Sequence, residues 1–300
     1  MQIGIDVGAT KIESVVLEED GNEKHRSRTE CPKDYLSIVS TIKDIHRNLE
    51  KEFKTELPIG VCHPGIHSPQ TGLVKNAPNC YWLEKKPFQS DLRKALGKEV
   101  FCENDGNCFA LSEAIDGAGK HYKIVYGIIL GSGAGGGLVI DKQIVSGPNG
   151  VAGEWGHNQI PYFAAKKENF NSNNAREAEV ESFISGLGMA KRFNKIYGKN
   201  LKTNEIFELN RRHDLDAERF VDDFKLNLAM SLSTIINILD PDAFIFGGGV
   251  SNEIDFLSEI ENMVKKFVIG KEYDGVFLKP KYGDASGVRG AARLGRRTTY

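Results

Sequence analysis

The chain has 300 residues, which is long enough for two domains that each bury a hydrophobic core. Its 41 acidic and 39 basic residues are dispersed and leave a net charge of −2, which argues against a nucleic-acid-binding protein. Apolar runs such as 124–130 fall far short of the roughly 20 residues that a membrane span needs, so no membrane partner is expected.

The N-terminus and the cysteines both favour a cytoplasmic protein. The chain opens on an apolar strand pattern with no basic region or cleavage site before it, so no secretory signal is predicted. The cysteines are odd in number, widely spaced and without a CxxC pair, which predicts neither a disulfide framework nor a zinc ribbon. They are Cys31, Cys62, Cys80, Cys102 and Cys108.

The first part of the chain alternates predicted strands and helices, as is typical of an α/β domain. A polar turn with a glycine, at 6–11, separates two apolar stretches and predicts a β-hairpin. Apolar residues at helical spacing predict the helices that follow. In chain order we expect a hairpin (2–5 and 14–17), a helix (35–53), a strand (58–61), an irregular loop (68–82), a helix (88–96), a strand (100–102) and a helix (108–114).

The second part repeats the strand, turn and strand of the N-terminus, which indicates two similarly built halves. A glycine-dense turn at 131–136 separates its first two strands. The boundary between the halves is expected near 116–123. The predicted elements are strands (124–130 and 137–140), helices (181–194 and 217–239), a strand (243–246) and a last helix (287–294).

Three glycine-containing turns, at 6–11, 131–136 and 247–249, each follow an apolar strand. Polar loops at strand ends can converge on a polyphosphate, and glycine permits the close backbone approach that this requires. The first turn alone is also explained by Asp6 and Thr10 capping an ordinary hairpin turn. Neither a Walker-type phosphate loop nor a dinucleotide-binding glycine motif fits them, because the second turn leads into a strand rather than a helix.

Polar side chains in three other places are candidates for binding and catalysis. Asn104 and Asp105 end a predicted strand, where a carboxylate could accept a hydroxyl proton. Glu154 and His157 lie between glycines, a composition that suits sugar hydroxyls but also an ordinary turn. Glu181 begins a predicted helix, where an exposed glutamate favourable to the helix dipole is the ordinary explanation.

Taken together, these motifs have an order and spacing that extend over nearly the whole chain. They are DVGATK (6–11), NDGN (104–107), GSG (131–133), EWGH (154–157), ExxxSG (181–186), LDP (239–241) with GGG (247–249), and GDASGVRGAA (283–292). The set resembles the ROK family of sugar kinases and repressors, and within it the fructokinase/mannokinase branch, with the N-acetylglucosamine kinases next.

The resemblance implies an α/β protein with the actin/hexokinase-like fold: two lobes, each a mixed sheet flanked by helices, with the active site in the cleft between them. The N-terminal lobe would be 1–117, with a C-terminal helix, 287–300, packing back on it, and the C-terminal lobe would be 118–286. A cytoplasmic homodimer is expected by analogy with the family.

The resemblance also implies an ATP-dependent hexose kinase with Mg²⁺, and it assigns roles residue by residue. Asp105 would be the general base that takes the proton from the sugar hydroxyl. The sugar would be bound by Asn104, Asp105, Glu154, His157 and Glu181, with Gly65 and Asn79 as flanking contacts. The MgATP phosphates and adenosine would lie against Asp6, Gly8, Thr10, Lys11, Gly131, Ser132, Gly133, Gly248 and Gly249.

One departure from the family concerns a structural zinc ion. Most members carry a cysteine-rich segment between the Gly-His motif and the Glu of the Ser-Gly motif, which binds zinc together with the histidine. Here 161–180 contains no cysteine, and His157 alone cannot supply the roughly four ligands of a closed zinc site. We therefore expect no structural zinc, and we expect His157 to titrate near neutrality and to make sugar affinity depend on pH.

Several alternatives stay open at this stage. Fructose is the first choice of substrate and mannose the second, with glucose or N-acetylglucosamine behind them, since pocket shape decides such differences. A family repressor would carry a helix-turn-helix domain before the first strand, and an actin- or Hsp70-like ATPase would not be expected to show the sugar-binding set. A sensor that binds sugar without turnover is the alternative of another class.

Overall fold

The computed structural model describes residues 1–160 and 175–295, and two β-sheets form its centre. The larger strands are β1 (Gln2–Val7), β2 (Lys11–Leu17), β3 (Glu23–Glu30), β4 (Ile59–His63), β7 (Val100–Asn104), β8 (Ile124–Leu130), β9 (Ala134–Ile140), β11 (Ala243–Gly247) and β12 (Val276–Leu278), and the two-residue strands are β5 (Ile66–His67), β6 (Val74–Lys75) and β10 (Gln143–Ile144). The α-helices are α1 (Tyr35–Phe53), α2 (Phe88–Leu96), α3 (Asp105–Ile115), α4 (Val180–Ile184), α5 (Gly186–Tyr197), α6 (Thr203–Arg211), α7 (Leu215–Leu239), α8 (Gly249–Glu253), α9 (Leu257–Val264) and α10 (Ser286–Leu294).

The two five-stranded sheets have the same plan. The first has the order β3-β2-β1-β4-β7 and the second β10-β9-β8-β11-β12. In each, an antiparallel hairpin continues into strands that run parallel to one another. Both sheets are therefore mixed, and both place the carboxyl ends of three parallel strands at one edge.

Helix α10 packs closely on the first sheet and on α3 because glycines face it. A Cβ at Gly4 would lie 2.1 Å from the carbonyl oxygen of Val288, and one at Gly60 would lie 2.0 Å from that of Ala291. On α10 itself, a Cβ at Gly290 would lie 1.8 Å from the carbonyl oxygen of Cys108. The sequence predicts this helix at 287–294, and the last five residues, 296–300, lie outside the described residues.

Several local features differ from the sequence prediction, and the helices α6, α8 and α9 were not predicted at all. The predicted helix 181–194 is two helices, α4 and α5, because Ser185 is extended and its hydroxyl accepts from the Gly188 amide to cap α5. The predicted loop 68–82 contains β6 and a 3₁₀-helix at Pro78–Leu83. The strand β3 is absent from the prediction because it is polar along its length.

Among the helices of 1–160 and 175–295, none combines the length and apolar composition of a membrane span.

Candidate active site

The candidate site lies where the carboxyl edges of the two sheets meet. In the first sheet β1, β4 and β7 are parallel, so Asp6 and Asn104 emerge at the same edge. Helix α3 follows β7 and crosses to the second sheet, where the backbone of Gly106 lies so close to Gly136 that a Cβ would be 2.5 Å from its carbonyl oxygen. The second sheet brings its own glycine turns to the opposite side.

A cleft of about 300 Å³ opens between these edges. It is lined mainly by backbone of the turn after β8 and by polar side chains from several other elements. Distant parts of the chain therefore meet at one surface. The predicted residues that line it are Gly65, Asn104, Asp105, Gly131, Ser132, Gly133, Glu154, His157 and Glu181.

Asn104 and Asp105 form the N-terminus of α3 and line this cleft. Asn104 caps the helix, since its side-chain oxygen accepts from the Asn107 amide at 2.7 Å. Asp105 is exposed at the cleft, but the surrounding protein removes part of the solvent around its carboxyl group. This loss of solvent raises the pKa of its carboxyl group, although the Gly106 amide, which donates to it at 2.9 Å, opposes the shift. A carboxylate with a raised pKa is suited to accept a proton.

Glu154 and His157 line the cleft together with Asp105. Glu154 immediately precedes a short 3₁₀-helix, and His157 is the last residue of that helix. Desolvation raises the pKa of Glu154, and the nearby His157 opposes that shift. The His157 ring lies between two carboxylates: Nδ1 is 3.0 Å from Glu179 Oε2, and Nε2 is 4.0 Å from Glu154 Oε2. The hydrogen bond to Glu179 is the main reason that the pKa of His157 is raised.

Glu181 has a more specific environment than an exposed first-turn glutamate. Its Oε2 accepts a hydrogen bond from the Ala134 amide at 2.8 Å. A Cβ at Gly133 would lie 2.6 Å from the same oxygen, so a larger residue there would displace this carboxylate. The helix that carries Glu181 is thereby fixed against the glycine turn after β8.

The glycine turns after β8 and β11 lie against each other. Gly248 has a φ of 88° and packs so closely on Leu130 that a Cβ would be 2.5 Å from its carbonyl oxygen. Gly249 then begins α8 with no atom within 4 Å of its Cβ position. The turn after β8 is also fixed on its other side, because the amide of Gly186 donates to the carbonyl of Gly131 at 2.8 Å.

The hairpin turn after β1 lies at the corresponding edge of the first sheet. Its backbone closes through the Gly8 amide, which donates to the Lys11 carbonyl at 2.9 Å. Desolvation raises the pKa of Asp6 to about 6, a shift that Asp105 increases and the Cys62 thiol opposes. Thr10 and Lys11 are exposed, and the Lys11 ammonium is 3.6 Å from a Glu13 carboxylate oxygen.

Two polar side chains at the candidate site were not predicted from the sequence. Asn76, in a left-handed conformation with φ of 56°, lines the cleft, whereas the predicted Asn79 is exposed on the 3₁₀-helix and is not among the described lining residues. The two asparagines are three positions apart in one loop, so composition alone does not separate them. Glu179 contacts His157 only because the chain returns after residues 161–174, which no local pattern predicts.

The residues around His157 do not fit the zinc site of the family pattern. The five cysteines are all buried and lie between Cys31 and Cys108, outside this loop. Within 1–160 and 175–295, no group of three His, Cys, Asp or Glu side chains is arranged to hold a metal ion. Most of the cysteine-free segment, 161–174, lies outside the described residues, so the absence of zinc stays a prediction.

A family model described as "ROK family" matches residues 2–298. The chain belongs to the ROK family. The N-acetyl-D-glucosamine kinase of Histophilus somni (strain 129Pt) is 36% identical to this ROK chain over 302 residues, covering 98% of each protein. That of Pasteurella multocida (strain Pm70) is 35% identical over 304 residues, covering 98% of this chain and 99% of the relative.

Solved structures of other ROK proteins have the same fold. The ROK hexokinase of Thermus thermophilus superimposes with a TM-score of 0.87 at 23% identity, covering 98% of this chain and 97% of the other. A ROK family glucokinase from Streptomyces griseus, in complex with glucose and AMPPNP, superimposes with a TM-score of 0.75 at 26% identity, covering 99% of each chain. These similarities confirm the actin/hexokinase-like fold expected from the motifs.

Proposed function

We propose that this ROK protein transfers the γ-phosphoryl group of ATP to the 6-hydroxyl of a hexose, and that N-acetylglucosamine is its preferred sugar. The observation that carries the proposal is the position of Asp105. Its carboxylate lies in the cleft with Glu154, His157 and Glu181, and the glycine turn at 131–133 lines the same cleft. A proton acceptor, hydroxyl-binding side chains and a phosphate-binding turn are thus within one small volume.

In the proposed reaction Asp105 accepts the proton of the attacking hydroxyl. A bond forms between that sugar oxygen and the γ-phosphorus, while the bond from the γ-phosphorus to the bridging oxygen breaks and ADP leaves. The raised pKa of Asp105 favours this proton transfer. The dipole of α3 places partial positive charge beside the transferring group, where negative charge is concentrated.

On the sugar side, the hydroxyl ligands in this proposal are Asn104, Glu154, His157 and Glu181. Carboxylate and amide oxygens accept from hydroxyls, and the imidazole can accept or donate. In this proposal Gly65 and Asn76, which also line the cleft, flank the sugar. We assign this flanking role to Asn76 rather than Asn79, because Asn76 is the asparagine of this loop that lines the cleft.

On the nucleotide side, the three glycine turns would hold the phosphates and the adenosine. Mg²⁺ bound with ATP would neutralise charge on the phosphates, and Asp6, the carboxylate of the first turn, fits a role in holding it. Backbone amides in the second and third turns would donate to phosphate oxygens. The residues are Asp6, Gly8, Thr10, Lys11, Gly131, Ser132, Gly133, Gly248 and Gly249.

The choice of sugar departs from the first choice made from the motifs. The curated relatives of 35–36% identity that cover nearly the whole chain are N-acetylglucosamine kinases, which favours this alternative over fructose and mannose. Glucose is the second candidate, since the glucokinase structure with glucose and AMPPNP has the same fold. We also propose that the protein acts as a homodimer in the cytoplasm, by analogy with the family.

The test is ADP release with MgATP and N-acetylglucosamine, glucose, mannose or fructose, with product NMR to locate the phosphate. We expect the highest kcat/KM with N-acetylglucosamine and a loss of about 10² or more in kcat for Asp105→Asn. Asp20→Asn, which changes an exposed aspartate, serves as the control. Sugar binding without turnover in the wild type would favour a sensor, and turnover that survives Asp105→Asn would exclude Asp105 as the base.

A further inference from the structure

The two chain segments that flank residues 161–174 pair with each other beside the cleft. The Ile160 amide donates to the Ala178 carbonyl at 2.7 Å, and the Val180 amide donates to the Asn158 carbonyl at 2.8 Å. An antiparallel bridge joins Gln159 and Glu179 between these bonds. This pairing places Glu179 next to His157, which precedes the first segment.

The contact between Glu179 and His157 fixes one nitrogen of the ring. Glu179 Oε2 lies 3.0 Å from Nδ1, while Nε2 faces Glu154 in the cleft at 4.0 Å. An ionised carboxylate can only accept a hydrogen bond, so Nδ1 carries the proton in this contact. In the neutral ring Nε2 then has its lone pair directed toward the cleft. The Glu179 side chain is only 16% exposed, against 44% for His157, so packing holds it in place.

We propose that Glu179 is the positioning residue for His157 and that it replaces the zinc ion of the family pattern. A metal on one imidazole nitrogen would fix the ring and direct the other nitrogen toward the sugar, and the Glu179 carboxylate achieves both without a metal. The proposal rests on the proposed function in one respect, namely that the group donating a hydrogen bond to Nε2 is a sugar hydroxyl. It accounts for how this chain positions the histidine without the cysteines of the family pattern.

The kinetic test compares substitutions at Glu179 with a matched neighbour. Glu179→Ala should raise the KM for N-acetylglucosamine about tenfold, as loss of such supporting partners does elsewhere, with a much smaller change in kcat. Glu179→Gln keeps an oxygen that can accept from Nδ1, so its KM should stay close to that of the wild type. Glu177→Ala, two residues away and exposed, is the control. Equal KM values for Glu179→Ala and Glu177→Ala would overturn the proposal.

A second test needs no sugar and no turnover. Long-range ¹⁵N–¹H NMR at about pH 9, where an imidazole is neutral, should show the Nδ1–H tautomer for His157, assigned with a His157→Asn variant. Glu179→Ala should shift this ring toward the Nε2–H tautomer. An Nε2–H tautomer in the wild type, or stoichiometric zinc in the purified protein, would overturn the proposal. If no sugar is phosphorylated but the tautomer shifts as expected, the proposed function fails and the positioning role stands.

Discussion

The carboxylate of Glu181 accepts a hydrogen bond from the backbone amide of Ala134, with 2.8 Å between the two atoms. Glu181 belongs to α4, and Ala134 is the first residue of β9 after the glycine turn. One side chain therefore joins the helix that faces the proposed sugar to the turn that faces the proposed phosphates. Any change that weakens this bond acts on both sides of the cleft.

Replacing Glu181 should separate its structural contribution from its role in binding. Glu181→Ala leaves the partly buried Ala134 amide without its partner and should lower the free energy of unfolding by about 1–3 kcal/mol. Glu181→Gln can still accept from this amide, so its stability should stay near that of the wild type. Both variants should raise the KM for sugar, because a charged acceptor is lost. Urea unfolding and kinetics measure the two effects, and equal stability of the alanine and glutamine variants would contradict this account.

Much of the fold could be predicted because its elements carry strong local signals. The helix over 35–53 and the first hairpin follow from apolar spacing and turn residues, and the structure confirms both. The edge strand β3 could not be found in this way, because it has no apolar side to mark it. Its Arg26 and Arg28 instead pair with the buried carboxylate of Glu13 on β2, a contact that only the sheet reveals.

The residues of the candidate site also differ in whether a local sequence signal predicts them. Asp105 could be predicted because it follows a strand, and position at a strand end is a local property. Asn76 and Glu179 could not. Asn76 depends on the conformation of a single loop residue, and Glu179 on the pairing of the chain segments before and after 161–174. Contacts made between distant segments leave no periodic pattern in the sequence.

The packing of α10 on α3 should be intolerant of a single methyl group. A Cβ at Gly290 would lie 1.8 Å from the Cys108 carbonyl oxygen, so the helices would have to separate. Alanine is favoured over glycine inside a helix by about 1 kcal/mol, yet we expect Gly290→Ala to lower the free energy of unfolding by about 3 kcal/mol. Gly249→Ala, which meets no atom within 4 Å, is the control for urea unfolding. A stabilised Gly290→Ala variant would show that the contact yields easily.

One ammonium group bonds to several carbonyl oxygens at the end of α3 and in the connection to β8. Lys142 Nζ donates to the carbonyl oxygens of Ala114 at 2.6 Å, Lys120 at 2.7 Å and Tyr122 at 3.1 Å. Lys142→Met keeps most of the side-chain volume but removes the charge, and should cost about 2 kcal/mol of stability. Lys123→Met, which removes an exposed ion pair with 3.8 Å between its atoms, should change little. Similar melting temperatures for the two variants would refute the special role of Lys142.

Buried His63 should make the protein less stable in mild acid. Its side chain is fully buried, its Nδ1 lies 3.0 Å from the Pro64 carbonyl oxygen, and its Nε2 has no hydrogen-bond partner among the described residues. Desolvation lowers the pKa of His63 in the folded chain, so below about pH 6.5 the unfolded chain binds the extra proton first. This contribution to stability is therefore complete above that pH and is lost as the pH falls.

The measurement is the free energy of unfolding by urea between about pH 5 and 8, the range over which an ordinary histidine titrates. The raised pKa of His157 contributes with the opposite sign, so the informative quantity is the difference between variant and wild type. His63→Gln should be less stable than the wild type at the upper end of the range but should lose less stability on acidification. His213→Gln, which removes an exposed ring, controls for the loss of a histidine as such. If His63→Gln and the wild type lose stability in parallel, the acid sensitivity arises elsewhere, and the buried ring takes up its proton without unfolding.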